Sequence, residues 1–426
     1  MIAAAPTSRW TAQRGRLLVL GVGSVALLVK LLIATRTYGT QDIRAWTWFA
    51  EGVRDRGPVG IYGIDFAALH RGQYNHPPLV GYYLEVVNRL AQWGMPLKVT
   101  IRGVSSVADV GSALLVFEIL RRRISPARAL IGGLGVAASP VLLLVSGYHG
   151  NTDPLFMMLV LLGSFLIIDR GLVLPGAAAL GLALGIKLVP IVAVPAVMVY
   201  VLRQRPDLLV SAVAGFLVPS ALIWTPAIVS RWAPLRRNVL GYVGVDSRPW
   251  GPVHFADALG WHSAAAVLVR PGSAVVVVLC ALLPAALVWR RPDRAMESVA
   301  LSLVGLLVLS PAFGVQYVVW ALAPAYLLDV WWATGFNVFA TVVLFEVYDR
   351  WNGGLPWVGI AVAQPWTSGE EALAAVLWVV LAGVLVAGLL AAGWRGRSWP
   401  GAREPLAMSW AHRDDHDEAY HDETGT

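Results

Sequence analysis

The sequence predicts an all-α polytopic membrane protein of about twelve transmembrane helices, and three observations carry that expectation. The composition is 57% hydrophobic and only 14% charged, where a soluble globular chain carries roughly a quarter charged residues. Apolar runs recur along almost the whole chain, from residue 17 to residue 393. Arginines gather in the short connections between those runs, as expected where a chain crosses a bilayer and keeps its positive loops inside.

The first run, "GRLLVLGVGSVALLVKLLIATR", contains Lys30 and lacks a small-residue cleavage site, so it reads as an anchor rather than a signal peptide. Further runs lie near 101–120, 129–146, 154–168, 172–186, 188–202, 208–229, 273–289, 296–312, 316–331, 333–347 and 371–393. The pair either side of Lys187 is short enough for a re-entrant hairpin. "RRRISPAR", "RQRP", "RRPDR" and "WRGR" all fall on one side, read as cytoplasmic with both termini inside. The connection 230–272 disagrees, with Arg231, Arg236, Arg237, Arg248 and Arg270 on the opposite side. The first outer loop, 36–100, ends in an aromatic stretch, 79–93, that reads as a helix lying on the bilayer surface. Two units follow: a membrane bundle over 1–394 and an acidic, histidine-rich tail over 395–426, expected to be disordered and cytoplasmic.

Several function classes are disfavoured. The net charge of +7 is almost wholly arginine, with lysine only at 30, 98 and 187, and topology accounts for most of it without nucleic acid. The single cysteine, Cys280, rules out an internal disulfide framework. No "GxxxxGK[ST]" loop speaks for an ATP-driven pump, and no HExxH or CxxC speaks for a zinc enzyme.

Against this apolar background a few polar residues stand out. Asp42, one turn beyond the first run, either caps the helix "DIRAWTWFAEGVRDR" or serves as a base at the membrane rim. "SGYHGNTDPLF" places Tyr148, His149, Asn151 and Asp153 in one turn on the same side, as turn chemistry or as a site for a polar ligand. Lys187, in "LGLALGIKLVPIVAVP", must snorkel or meet an anion such as a phosphate. Gln316 and Tyr317 open a helix behind "SPAFG", again on the outer side.

Taken in order, the Asp after the first helix, "YNHPPL", "SPVLLLVSGYHGNTDPLFMMLVLL", "GIKLVP" and "GVQYVVWALAP" resemble membrane glycosyltransferases of the GT-C class. The likeness spans residues 17 to 330 and is greatest to the polyprenyl- or dolichyl-phosphate-mannose-dependent branch. That branch includes the first mannosyltransferase of glycosylphosphatidylinositol assembly and bacterial lipoglycan mannosyltransferases. The resemblance implies a GT-C-type bundle with its active site under the first loop, on the extracytoplasmic face, and the Ala/Val/Arg-rich usage suggests a high-GC bacterium and so a bacterial plasma membrane. It implies a polyprenyl-phosphate sugar donor, a glycolipid or glycan acceptor hydroxyl, and a first-loop acid acting as base, which falls on Asp42.

Many relatives carry Asp-x-Asp, whereas this chain has Thr40-Gln41-Asp42. A lone acid is a poor divalent-metal site, so the expectation is metal-independent transfer without a cofactor. Lys187, Arg236, Arg237 and Arg248 would then balance the donor phosphate. His76, His149, Asn151, Asp153, Gln316 and Tyr317 would bind the sugar or acceptor, and Trp46 or Trp48 would stack on the ring. The rivals are a flippase or transporter of lipid-linked sugars and a non-catalytic subunit of a cell-envelope assembly.

Overall fold

The computed structural model describes residues 9–242, 250–269 and 272–394. Arg248, Arg270 and the tail over 395–426 lie outside the described residues. The architecture is helical throughout, as a backbone in hydrocarbon must satisfy its own polar groups. The described exception is a two-residue parallel pairing of Gly39–Thr40 with Ile360–Ala361. Among the described residues, seven helices are long and apolar enough to cross a membrane: Ala12–Arg36, Leu97–Leu120, Pro126–His149, Pro206–Leu240, Gly272–Arg290, Val330–Asn352 and Ser368–Ala392. Each of the other apolar runs is also helical, but several are cut short. Val173–Ile186 stops at Lys187, whose backbone is extended, and a second short helix, Val194–Gln204, leads away from that turn.

The helices pack through small residues. Gly163 and Gly176 face each other so closely that a Cβ on either would press on the other's carbonyl oxygen. That close approach locks Asp153–Ser164 against Val173–Ile186 and so sets where both polar ends, at Asp153 and at Lys187, come to lie. Lys30 is accounted for inside the bundle: its Nζ meets Asp109 on Leu97–Leu120 at 2.6 Å, with both side chains buried.

Arg102, also fully buried, gathers the carbonyls of Ala34, Thr37 and Tyr38 at the end of the first helix. Gly39 sits beside this guanidinium with φ +101, where any Cβ would collide with it and with the Tyr148 carbonyl. The chain therefore leaves the first helix along one fixed path, and Gln41–Gly60 starts at a fixed point.

In the first loop, Gln41–Gly60 breaks at Gly57-Pro58, and Pro78–Gln92 follows as an amphipathic helix burying Val80, Leu84 and Val87. The connection 230–272 corrects an expectation. The helix Leu209–Leu235 runs on through a wide turn, Arg236–Leu240, so Arg231, Arg236 and Arg237 stand on helix rather than in loop.

Candidate active site

A cavity of about 1260 Å³ lies between the first-loop helices, the turn 149–153, Lys187, and the helices Leu209–Leu235 and Gly272–Arg290. One wall is polar, with Asp42, His76, Asn151, Asp153, Lys187 and Gln316. The opposite lining is apolar. Leu217, Ile228 and Val277 in that lining are exposed, so the apolar side of the cavity is open.

Asp42 stands in the first turn of Gln41–Gly60, but it is not the cap. Thr40 is: its hydroxyl accepts the Asp42 N–H and donates to the His149 carbonyl at 3.1 Å. The capping reading of Asp42 is thereby corrected, because the preceding threonine already supplies the oxygen that a helix start requires. The Asp42 carboxylate instead faces the cavity and meets His149, Nε2 to Oδ2 at 2.8 Å. The other ring nitrogen, Nδ1, meets the Tyr348 hydroxyl at 2.9 Å.

Burial pushes the Asp42 carboxyl up, but attraction to and hydrogen bonding with His149 outweigh it, helped by His76 and Lys187. The net result is a carboxyl held below its ordinary value. Burial is the largest single influence, yet the combined pull of His149, His76 and Lys187 exceeds it, and the side chain keeps 37% of its surface open.

The second carboxylate is arranged differently. Asp153 is almost fully buried and binds through both oxygens, accepting from Lys187 Nζ at 2.8 Å and from Trp320 Nε1 at 2.8 Å. Lys187 keeps part of its surface on the cavity and sits over the stacked rings of Tyr317 and Trp320, at 5.3 and 5.4 Å. Asn151 and Thr152 line the cavity, and both side-chain polar atoms of Asn151 and the Thr152 hydroxyl are buried without a partner among the described residues. Unpaired polar groups at that depth are costly.

The structure gathers Asp42, Trp46, His76, Asn151, Asp153, Lys187, Gln316 and Tyr317 on one cavity. Trp46 stacks on His76 at 4.6 Å and spends its Nε1–H on the Gly150 carbonyl. Burial, with repulsion from Lys187 and some relief from Asp42, pulls His76 down to about 3, so that ring is neutral at physiological pH. Four of the candidate residues stand elsewhere. His149 lies behind Asp42 with both ring nitrogens engaged, Trp48 sits under the Arg71 guanidinium at 5.3 Å, and Arg236 and Arg237 are exposed outside the cavity lining. Arg237 donates to Asn238. Sequence reading missed Tyr348 and Trp320. Trp320 follows Gln316 at the i, i+4 helical spacing, a usable signal, whereas Tyr348 lies 199 residues from His149 and nothing local marks it.

Among the described residues no three His, Cys, Asp or Glu side chains come close enough to hold a metal ion. Glu51 pairs with Arg71 at 3.4 Å rather than reaching Asp42. What the site offers is an ionised carboxylate open to a cavity, a cation, and unpaired amide and hydroxyl groups beside an apolar wall. Residues 90–311 match the profile of glycosyltransferase family 87. That stretch contains His149, Asn151, Asp153 and Lys187, while Asp42 precedes it and Gln316 and Tyr348 follow it. Among curated proteins, none matches the chain.

Proposed function

We propose, for a chain that belongs to glycosyltransferase family 87 and is a membrane glycosyltransferase, that it moves a sugar from a polyprenyl-phosphate donor to an acceptor hydroxyl. Mannose is the favoured sugar, on the resemblance to mannosyltransferases, and a glycolipid or glycan is the favoured acceptor. The extracytoplasmic face of a bacterial plasma membrane is the favoured location, with both termini inside. The observation that carries the reading is Asp42: a carboxylate held below its ordinary value, with one oxygen on His149 and the other without a partner among the described residues, on a cavity with a cation and an apolar lining.

Asp42 removes the proton from the acceptor hydroxyl as that oxygen bonds to the anomeric carbon. The bond from this carbon to the phosphate oxygen breaks, and the polyprenyl phosphate leaves with the electron pair. Lys187 faces the charge that grows on that phosphate, with Arg236, Arg237 and Arg248 as outer contributors. Asn151, Thr152, His76 and Gln316 hydrogen-bond the sugar, Trp46 and Tyr317 provide ring faces, and the lipid tail lies along Leu217, Ile228 and Val277. Transfer needs no metal in this scheme, because Asp42 is a lone acid where a divalent-metal site wants more than one carboxylate.

The test is incubation of purified protein in lipid with a panel of polyprenyl-phosphate sugars, followed by mass spectrometry of the lipids. A new glycolipid from one donor, absent with Asp42→Asn, is the expected result. Passage of labelled donor across the bilayer without any new bond would instead mark a flippase.

A further inference from the structure

The polar turn 146–153 reaches in two directions at once. Backward, the His149 ring meets Asp42 through Nε2 and Tyr348 through Nδ1, and the ring is only 3% exposed. Forward, Asp153 holds Lys187. The backbone between them is tied to the first-loop helix: Thr40 donates to the His149 carbonyl, and Trp46 donates to the carbonyl of Gly150, which adopts φ +80. A Cβ at Gly150 would run into Ile43, so the turn lies tight against the helix that carries Asp42.

We infer that His149 and Tyr348 are positioning residues for Asp42, setting which carboxylate oxygen receives the acceptor proton; this rests on the transferase reading proposed above. Tyr348 is fully buried on Val330–Asn352, and His149 is its hydrogen-bond partner. Opposite an ionised carboxylate the Nε2 position carries a proton, aimed at Asp42 Oδ2, while the Tyr348 hydroxyl holds the ring through Nδ1. Oδ2 is thereby committed to the ring, which leaves Oδ1 without a partner among the described residues. Other groups that act on Asp42 come from different elements: His76 from the first loop and Lys187 from its helix end, itself neutralised by Asp153. Neither bonds the carboxylate, so orientation rests on His149.

The direction of the pH effect follows. With His149 present, the Asp42 carboxyl sits below its ordinary value, so the acid limb of the rate profile lies below the usual carboxylate range. Removing the ring leaves burial unopposed by its largest counterweight, and that limb moves to higher pH.

The experiment compares His149→Phe, His149→Gln and Tyr348→Phe with wild type, as the full chain in lipid. It measures transfer against pH, donor binding, and carboxyl titration by infrared difference spectroscopy, with Asp42→Asn assigning the Asp42 band. His149→Phe is expected to lower kcat roughly ten- to hundredfold, the range for losing one hydrogen bond to a charged group, with donor affinity unchanged. Its acid limb and its Asp42 band should both move up by about one pH unit. His149→Gln, which keeps an amide N–H, should recover much of the rate, and Tyr348→Phe should lose a few-fold with a smaller shift in the same direction.

Unchanged pH profile and Asp42 titration in His149→Phe would overturn the inference, and if that variant does not fold, the same measurements on Tyr348→Phe decide it. If no donor supports transfer by wild type while the band still shifts, the polyprenyl-phosphate donor reading fails, and the hold of His149 on the Asp42 carboxylate stands apart from it.

Discussion

Two carboxylates share the cavity, and they differ in what is left of each. Asp153 is 1% exposed and spends both oxygens, on Lys187 and on Trp320. Asp42 is 37% exposed at its side chain and spends one oxygen, on His149. A 1%-exposed carboxylate with a donor on each oxygen is a fixed counterion: it keeps a lysine in place and is shielded from a substrate. One with a free oxygen beside a cavity can accept a proton. Residue type alone would not separate these roles; exposure and the count of partnered oxygens together do.

The largest effect should come from Asp42→Asn, which preserves shape and the helix start but removes the proton acceptor. Transfer is expected to fall at least about 10²- to 10⁴-fold, the usual contribution of a general base, with donor binding and thermal stability unchanged. Stability should barely move, because Thr40 rather than Asp42 caps the helix. Wild-type-like turnover would take Asp42 out of the reaction and dissolve the contrast.

Next in size is the Asp153 side. Lys187→Ala removes a cation from the cavity and leaves a buried carboxylate uncompensated, which is destabilising by about 3–5 kcal/mol in such pairs. Asp153→Asn together with Lys187→Met relieves that penalty and separates the two roles. If Lys187 only neutralises Asp153, the double variant should be stable and active. If it also holds the donor phosphate, the double variant should be stable with donor affinity still down about tenfold or more, by titration with polyprenyl phosphate. Lys187→Arg should regain part of the loss, since a planar fork does not copy a compact ammonium over the Tyr317 and Trp320 rings.

Smaller effects mark the edge of the site. Arg237→Ala, at an exposed position outside the cavity lining, should weaken donor binding by no more than a few-fold. Trp48→Ala should leave transfer within a factor of about two, since its ring faces Arg71 rather than the cavity, while Trp46→Ala should lower it clearly. Addition of EDTA should leave the rate unchanged. Collapse on chelation with rescue by magnesium or manganese would overturn the metal-free scheme and turn attention to what completes a ligand set around Asp42.

The sequence by itself determined that this is a helical membrane protein, because apolar runs of this length admit one solution for their backbone hydrogen bonds. It also marked the chemistry: acids, amides and a lysine are so costly among such runs that Asp42, Asn151, Asp153, Lys187 and Gln316 were visible as exceptions, and all five line one cavity. What it left open was pairing. Lys187 read as a cation that must snorkel or meet an anion, and only the packing of Asp153–Ser164 against Val173–Ile186 makes that anion Asp153. His149 read as a ligand for sugar, and Tyr348 did not stand out at all, because contacts across 107 and 199 residues leave no periodicity behind. Trp48 and Trp46, two positions apart, were interchangeable as ring-stacking candidates until the helix turned one to the cavity and the other to Arg71. Local composition fixes which residues are expensive to bury; the tertiary structure alone decides which of them satisfy one another and which oxygen is left over.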